Sequence, residues 1–385
     1  MYVAIVTETY PPEINGVALT VRSLEEGLSE LGHRVAIVRP RRGDRQAPRQ
    51  DELLVPGMGL PRYPGLHMGL PATRRLVRHW GTDRPDAIYV ATEGPLGASA
   101  VAAARRLGIP ATTGYHTRFD DYLADYGIGA LAPLARRWLR HVHNRAGATL
   151  VPTRALVEEL TGRGFRTVLR LARAVDTRRF DPAHRDPALR AAWGAAPDTP
   201  VVIHVGRIAA EKNLQLAVRA FRALQEDRPD ARFVLVGDGP ARAALERANP
   251  DFVFCGIQRD MALARHFASG DVFLFPSTTE TFGNVTLEAM ASGVATVAFD
   301  YGAAREHIRN GISGRTIALG DEIDFVRAAC MLGTEPALRA RLAAAGRQAV
   351  AELEPRAVSA RFAQILADLR THPPQADLQG IEVPR

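Results

Sequence analysis

The chain has 385 residues, 46% of them apolar and 24% charged, and a formal net charge of +7. That length points to two domains, and the balance is that of an ordinary globular protein. No apolar run reaches the roughly 18–20 residues needed to cross a bilayer, and two isolated cysteines, Cys255 and Cys330, give neither a disulfide framework nor a metal-type spacing.

The charge excess lies wholly in the first half. Residues 1–170 carry 23 basic and 16 acidic side chains, and residues 171–385 carry 26 of each. A basic half fits an anionic substrate, a nucleic acid or an anionic membrane surface, and the count alone does not choose among them. Of the 49 basic residues one is lysine, Lys212. A lysine is a compact point charge and an arginine a planar fork, so the exception is a candidate for a specific role; the competing reading is a survivor on a solvated surface.

In chain order, Tyr2–Val6 is an apolar run that reads as a first strand rather than a leader segment. Residues 21–31 carry helical periodicity, and 34–38 are apolar again. Residues 87–91, a helix-like Pro95–Leu107, then 111–115 and 148–152 continue the alternation. The second half repeats it: Val201–Val205, a helical 214–224, Arg232–Val236 closed by Gly237-Asp238-Gly239-Pro240, then 271–275, a helical 285–291 and 294–299. Strands interleaved with helices predict mostly parallel sheets, hence an α/β chain of two doubly wound domains, 1–175 and 176–355. Ligands of such sheets bind beyond the carboxyl ends of the strands.

Four segments at such ends hold candidate chemistry. Residues 10–17 follow the first strand, and Gly16 would let a phosphate approach backbone amides; no G-x-G-x-x-G is present, so a dinucleotide is not supported. His116 ends another strand, with Asp120 and Asp121 behind it, and can orient a hydroxyl or handle a proton; a structural histidine is the alternative. Gly206, Arg207 and Lys212 place two cations where a diphosphate leaving group could be stabilised. In the last segment, Phe282, Gly283, Asn284 and Val285 open a helix whose first amides lack intrahelical partners. Glu280 lies ahead of that helix and Glu288 within it. A glutamate inside an apolar helix needs a partner, and ribose hydroxyls are one.

Together, Glu-x7-Glu with its Phe-Gly, Gly-Arg-x3-Glu-Lys and the Gly after the first strand resemble the retaining glycosyltransferases of family 4, of the GT-B fold. Within that family, residues 9–17 and 300–306 are most similar to a bacterial mannosyl- and glycolipid-transferase subgroup. The resemblance spans roughly residues 1–370. It implies two Rossmann-like domains facing a central cleft, an acceptor-binding first domain on which a helix over 356–372 packs, and a donor-binding second domain. It implies His116, Glu280, Arg207 and Lys212 as catalytic residues. Gly16, Gly206, Phe282, Gly283, Asn284 and Val285 would bind the donor, Glu288 its ribose, and Ile257 its base. One departure is visible: Ala174 stands before Val175-Asp176 where many members have glycine, which would stiffen the hinge.

The implied reaction moves a sugar from a nucleotide diphosphate sugar, GDP-mannose first and a UDP-sugar second, to a lipid, lipid-linked or carbohydrate acceptor. Anomeric configuration is retained by same-face substitution. With cations and amides in place and no Asp-x-Asp site, no cofactor and no obligatory metal are expected. Residues 129–144 read as a basic amphipathic helix with Leu131, Leu134, Trp138 and Val142 on one face, fit either for an anionic membrane surface or for packing on the first domain. The expected location is cytoplasmic, peripheral on the inner face of the cell membrane. The rivals are a GT-B-fold nucleotide-sugar epimerase, a pyridoxal-phosphate phosphorylase using Lys212, and a nucleic-acid binder. The last lacks a recognition motif, so no nucleic-acid partner is expected.

Overall fold

The computed structural model describes residues 1–11, 13, 16–42, 47–59, 67–116, 132–280 and 282–371. The chain divides into two compact units, Met1–Ala172 with Pro355–Arg385, and Arg173–Glu354. The second unit starts three residues before position 176. Val175 is buried in that unit's core, and its N–H donates to the Leu353 carbonyl at 2.8 Å.

In the first unit, β1 (Tyr2–Val6), β2 (Arg34–Pro40), β3 (Glu52–Val55), β6 (Ala87–Val90), β7 (Ala111–Gly114), β8 (Ala148–Val151) and β9 (Val168–Arg170) form one sheet, ordered β3-β2-β1-β6-β7-β8-β9. All its pairings are parallel. β4 (Gly57–Gly59) and β5 (His67–Gly69) pair separately and antiparallel. Helices α1 (Gly16–Glu30), α2 (Thr73–Thr82), α3 (Pro95–Leu107), α4 (Ala132–His143) and α5 (Arg154–Gly162) connect the strands. β1 is apolar throughout because a parallel strand is covered on both faces. The order reverses between β1 and β6, so a crevice opens beyond their carboxyl ends.

That crevice is capped unusually. Gly94 precedes α3 and has no side chain to cap it; Glu8, from the end of β1, accepts from the Leu96 N–H at 3.1 Å instead. A Cβ on Gly94 would lie 2.2 Å from the Glu8 carboxylate and would have to push it off the helix amides. Burial pushes the Glu8 carboxyl up to about 7, against the pull of the helix amides.

The C-terminal helix, Pro355–Thr371, packs on α1, where a Cβ at Gly27 would lie 2.1 Å from Ser359 Oγ. Its fully buried Phe362 meets the Tyr89 ring edge-on at 4.9 Å, and Arg370 pairs with Asp86 at 3.1 Å. Burying a phenylalanine of this kind stabilises the unit by about 1.5–3 kcal/mol.

α4 differs from its expected facing. Leu139, Val142 and His143 are buried, whereas Leu134 and Trp138 are 67% and 47% exposed. His143 turns inward because Glu93 Oε1 (3.2 Å) and Thr113 Oγ1 (2.7 Å) satisfy both ring nitrogens. Leu131 lies outside the described residues.

In the second unit, β10 (Val201–Val205), β11 (Arg232–Val236), β12 (Val253–Gly256), β13 (Val272–Phe275), β14 (Ala295–Phe299) and β15 (Arg315–Ile317) form a parallel sheet ordered β12-β11-β10-β13-β14-β15. Its helices are α6 (Pro187–Ala192), α7 (Leu214–Asp227), α8 (Arg242–Ala248), α9 (Asp260–Ser269), α10 (Asn284–Ala291), α11 (Gly302–His307), α12 (Glu322–Thr334) and α13 (Pro336–Ala349). α7 buries Leu214, Ala217, Phe221 and Leu224, the spacing of one helical face, and approaches α12 so closely that a Cβ at Gly333 would meet Leu224 at 2.3 Å. The amino ends of the strands carry structural polar groups: Asp271 accepts from Val201 N–H (2.8 Å) and from the buried Arg190 (3.0 Å). The order reverses between β10 and β13, which places the candidate site at their carboxyl ends.

Candidate active site

β10 ends at Gly206, whose φ of 151° is open to glycine and strained for other residues. The neighbouring turn is as tight: a Cβ at Gly237 would fall 1.9 Å from the Gly206 carbonyl oxygen. Past Gly206 the chain anchors Ile208, fully buried, and makes a short 3-10 turn, Ala210–Lys212. Asn213 at φ 49° then starts α7. Arg207 projects outward, its side chain 60% exposed, and reaches Glu211 at 3.5 Å. Such an exposed pair contributes little to stability and leaves the guanidinium available to a ligand.

Lys212 behaves differently. Its side chain is only 19% exposed, and its ammonium pairs directly with Glu280 Oε1, itself 17% exposed. Ser277, fully buried after β13, donates its hydroxyl to the same oxygen at 2.9 Å. The Glu280 N–H donates to the Tyr301 hydroxyl at 2.5 Å, fixing the loop ahead of α10. A half-buried lysine and a carboxylate held by a serine form a preorganised pair rather than a mobile surface contact.

α10 begins after Gly283, whose φ of 89° and 3.0 Å approach of an added Cβ to Phe275 again require glycine. Phe282 is buried, and its carbonyl accepts from Ala303 N–H at 2.7 Å, which braces the turn against α11. Asn284 and Val285, half-buried, occupy the first turn, where amides point out of the helix. Glu288 lies one turn on. Burial pushes its carboxyl up to about 7, and the Arg179 charge only partly offsets this. A carboxyl so placed gains from any ligand that brings hydroxyl donors.

Ile257, just past β12, is 60% exposed, a flat apolar surface of the kind a base can cover. Burial raises the nearby Cys255 thiol to about 11, so it is protonated at neutral pH. Among the described residues no cluster of three or more His, Cys, Asp or Glu stands ready for a metal.

In the first unit, Gly16 is the exposed first residue of α1. His116 follows β7 and is buried, its Nε2 2.7 Å from the Tyr89 hydroxyl. Asp120 and Asp121 lie outside the described residues, as do Ile14 and Asn15 beside Gly16. Within the second unit, then, Gly206, Lys212, Glu280 and the start of α10 flank the strand-order reversal, with Glu288 behind and Ile257 past β12 at the sheet's far edge. His116 and Gly16 belong to the other unit.

Sequence reasoning missed Ser277, Tyr301 and His204. Ser277 stands three residues before Glu280, just past the apolar β13, and that nearness is the one local signal for it. His204 is fully buried on β10, its Nδ1 3.1 Å from the Leu274 carbonyl. Burial, aided by the Lys212 charge, holds its pKa down to about 4, so it is neutral beside the cation.

Two parallel sheets of Rossmann type, with cations, open helix amides and two carboxylates near the reversal of the second sheet, are the frame of an enzyme that handles an anionic ligand. The chain belongs to glycosyltransferase family 4. The family model described as Glycosyltransferase Family 4 matches residues 14–179, and the one described as Glycosyl transferases group 1 matches residues 199–335. The chain is similar to the GDP-mannose-dependent alpha-mannosyltransferase of Mycobacterium tuberculosis (strain CDC 1551 / Oshkosh), 37% identical over 328 residues, 83% of this chain and 84% of that one. It is also similar to the alpha-monoglucosyldiacylglycerol synthase of Acholeplasma laidlawii, 28% identical, with 76% of this chain and 79% of that one covered. Among solved structures, Anabaena Alr3699/HepE in complex with UDP aligns at TM-score 0.76 and 18% identity, over 96% of this chain and 100% of that one. WaaG, a glycosyltransferase involved in lipopolysaccharide biosynthesis, aligns at 0.70 and 16%, over 94% and 99%. Those two likenesses concern the GT-B fold. The protein is thus an enzyme, a hexosyltransferase that moves a sugar from a nucleotide-sugar donor.

Proposed function

We propose that the protein transfers mannose from GDP-mannose, with retention of configuration, to a lipid or lipid-linked acceptor. The observation that carries the reading is the Lys212–Glu280 pair held by Ser277 beside the open start of α10. A diphosphate is a stronger partner for Lys212 than a carboxylate, so donor binding takes up Lys212 and Arg207 and turns Glu280 toward sugar hydroxyls. Glu288 takes the ribose hydroxyls, and the exposed Ile257 takes the base. His116 acts on the transferred sugar.

The chemistry asks for little beyond placement and charge. The bond from the anomeric carbon to the diphosphate breaks, and the acceptor oxygen adds on the same face. Its proton passes to the leaving phosphate oxygen. Lys212, Arg207 and the α10 amides stabilise the charge on the departing diphosphate. These groups supply the positive charge within the protein, so no obligatory divalent ion is proposed.

The choice of guanine and mannose rests on relatives named GDP-mannose-dependent alpha-mannosyltransferases at 34–38% identity. Thermal denaturation with GDP, UDP and ADP tests it. A nucleotide at a hundredfold excess over its Kd stabilises by about 2.7 kcal/mol. That is roughly 5–10 °C for a unit of this size. A shift with GDP alone supports the proposal; a shift with UDP alone contradicts the donor.

No helix among the described residues is long and apolar enough to cross a membrane. α4 offers a surface contact instead: exposed Leu134 and Trp138 stand beside exposed Arg136, Arg137 and Arg140. We place this face against anionic headgroups, where an arginine-flanked tryptophan is stable.

A further inference from the structure

We propose that Tyr89 is the positioning residue for His116, holding the imidazole in the one orientation that serves sugar transfer. This rests on the reading that His116 acts on the transferred sugar. Tyr89 lies in the middle of β6, in register with Thr112 of the neighbouring β7, and His116 follows β7 by two residues. The Tyr89 oxygen and His116 Nε2 are 2.7 Å apart, and the two rings stand nearly perpendicular at 87°.

The surroundings are built around this contact. A Cβ at Gly114 would lie 2.3 Å from the Tyr89 oxygen and 2.5 Å from His116 Nε2, so the bond passes directly over a residue that must lack a side chain. On the other side, Phe362 of the C-terminal helix packs edge-on against the Tyr89 ring at 4.9 Å. Tyr89 is 1% exposed and Phe362 0%, so the phenol cannot swing away. A buried tyrosine hydroxyl needs a polar partner, and a buried imidazole is held best when its nitrogens are assigned. With Nε2 held by the phenol, which can donate to that nitrogen or accept from it, the rotation of the ring is set. The helix that closes the first unit therefore acts on the site through one side chain, although it carries no residue of the site itself.

Tyr89→Phe removes the oxygen and keeps the ring for Phe362. The expected result is a kcat lower by about 10- to 100-fold from loss of orientation, with donor KM within about threefold and an unchanged circular-dichroism spectrum. Long-range proton–nitrogen spectra of 15N-histidine protein should show the His116 Nε2 resonance shifting and broadening as the ring loses its anchor. Gly114→Ala, which retains both partners but forces them apart, should lower kcat in the same way; it also decides the matter if Tyr89→Phe does not fold. His116→Ala separates the two layers of the reading. It should lose about 100-fold or more; near-normal turnover in that variant overturns the role of His116 and the proposal with it. An inactive His116→Ala beside Tyr89→Phe and Gly114→Ala enzymes with wild-type kcat and an unshifted Nε2 resonance overturns the positioning role alone.

Discussion

Replacing Lys212 by arginine is a severe perturbation at this position even though it keeps the charge and matches the residue used at 48 other basic positions. The ammonium pairs with Glu280 Oε1, the same oxygen that accepts from the Ser277 hydroxyl, and only about a fifth of either charged side chain is exposed. The Phe275 ring lies 6.0 Å away. A guanidinium is wider, planar and longer, so it cannot place one compact charge there. Removing a preorganised stabiliser of a developing anion typically costs about 2.7–4 kcal/mol. A misplaced one should forfeit most of that, and each 1.36 kcal/mol is about tenfold in rate. The expected kcat for Lys212→Arg is thus about 100-fold below wild type, and Lys212→Ala falls as far or further. Steady-state transfer from labelled donor, with melting temperature as the control, reads both. Turnover within a few-fold of wild type in a folded Lys212→Arg enzyme would deny Lys212 a specific role and leave it a chance survivor among the arginines.

Two further outcomes are expected. The Glu288 carboxyl titrates near 7 in the folded protein against about 4.5 when unfolded, so the native state binds the extra proton between these values. Its contribution is fully present below about 4.5 and is lost as pH rises through 7. Glu288→Gln should therefore raise the melting temperature at pH 8, by about 1–3 kcal/mol in stability, match wild type at pH 4.5, and weaken donor binding; equal melting curves at pH 8 would contradict the buried carboxyl. Flotation with anionic vesicles at low salt should carry the wild-type protein, and Leu134→Ser/Trp138→Ser should stay behind; equal flotation of both would remove α4 from the membrane contact.

Much of the fold was legible because buried parallel strands are continuous apolar runs; Tyr2–Val6 and Val201–Val205 are apolar but for one histidine and end at turn residues. The Glu280–Glu288 spacing and the Gly-Arg-x3-Glu-Lys run were legible because their geometry is local. What escaped was supplied from a distance. Tyr301 reaches Glu280 from 21 positions on, and Tyr89 reaches His116 from 27 positions back. His204 hid inside an apolar strand, where nothing in the pattern marks a neutral histidine beside a lysine. The expected face of α4 is divided for the same reason: Leu134 and Trp138 stay exposed, while Val142 is buried beside His143, which counts as polar in a pattern but which Glu93 and Thr113 make a core residue. The domain boundary moved because Val175 bonds to Leu353 across 178 positions, a contact no linker composition discloses.

The measurement that bears most directly on the central claim is transfer from GDP-[14C]mannose into a membrane lipid extract by purified protein pretreated with EDTA. The account predicts label in the lipid phase as an α-linked mannoside, undiminished by the chelator and lost with Lys212→Arg. Label arriving only from UDP-sugars, a β-linked product, or activity that returns only on adding Mg²⁺ or Mn²⁺ would contradict it.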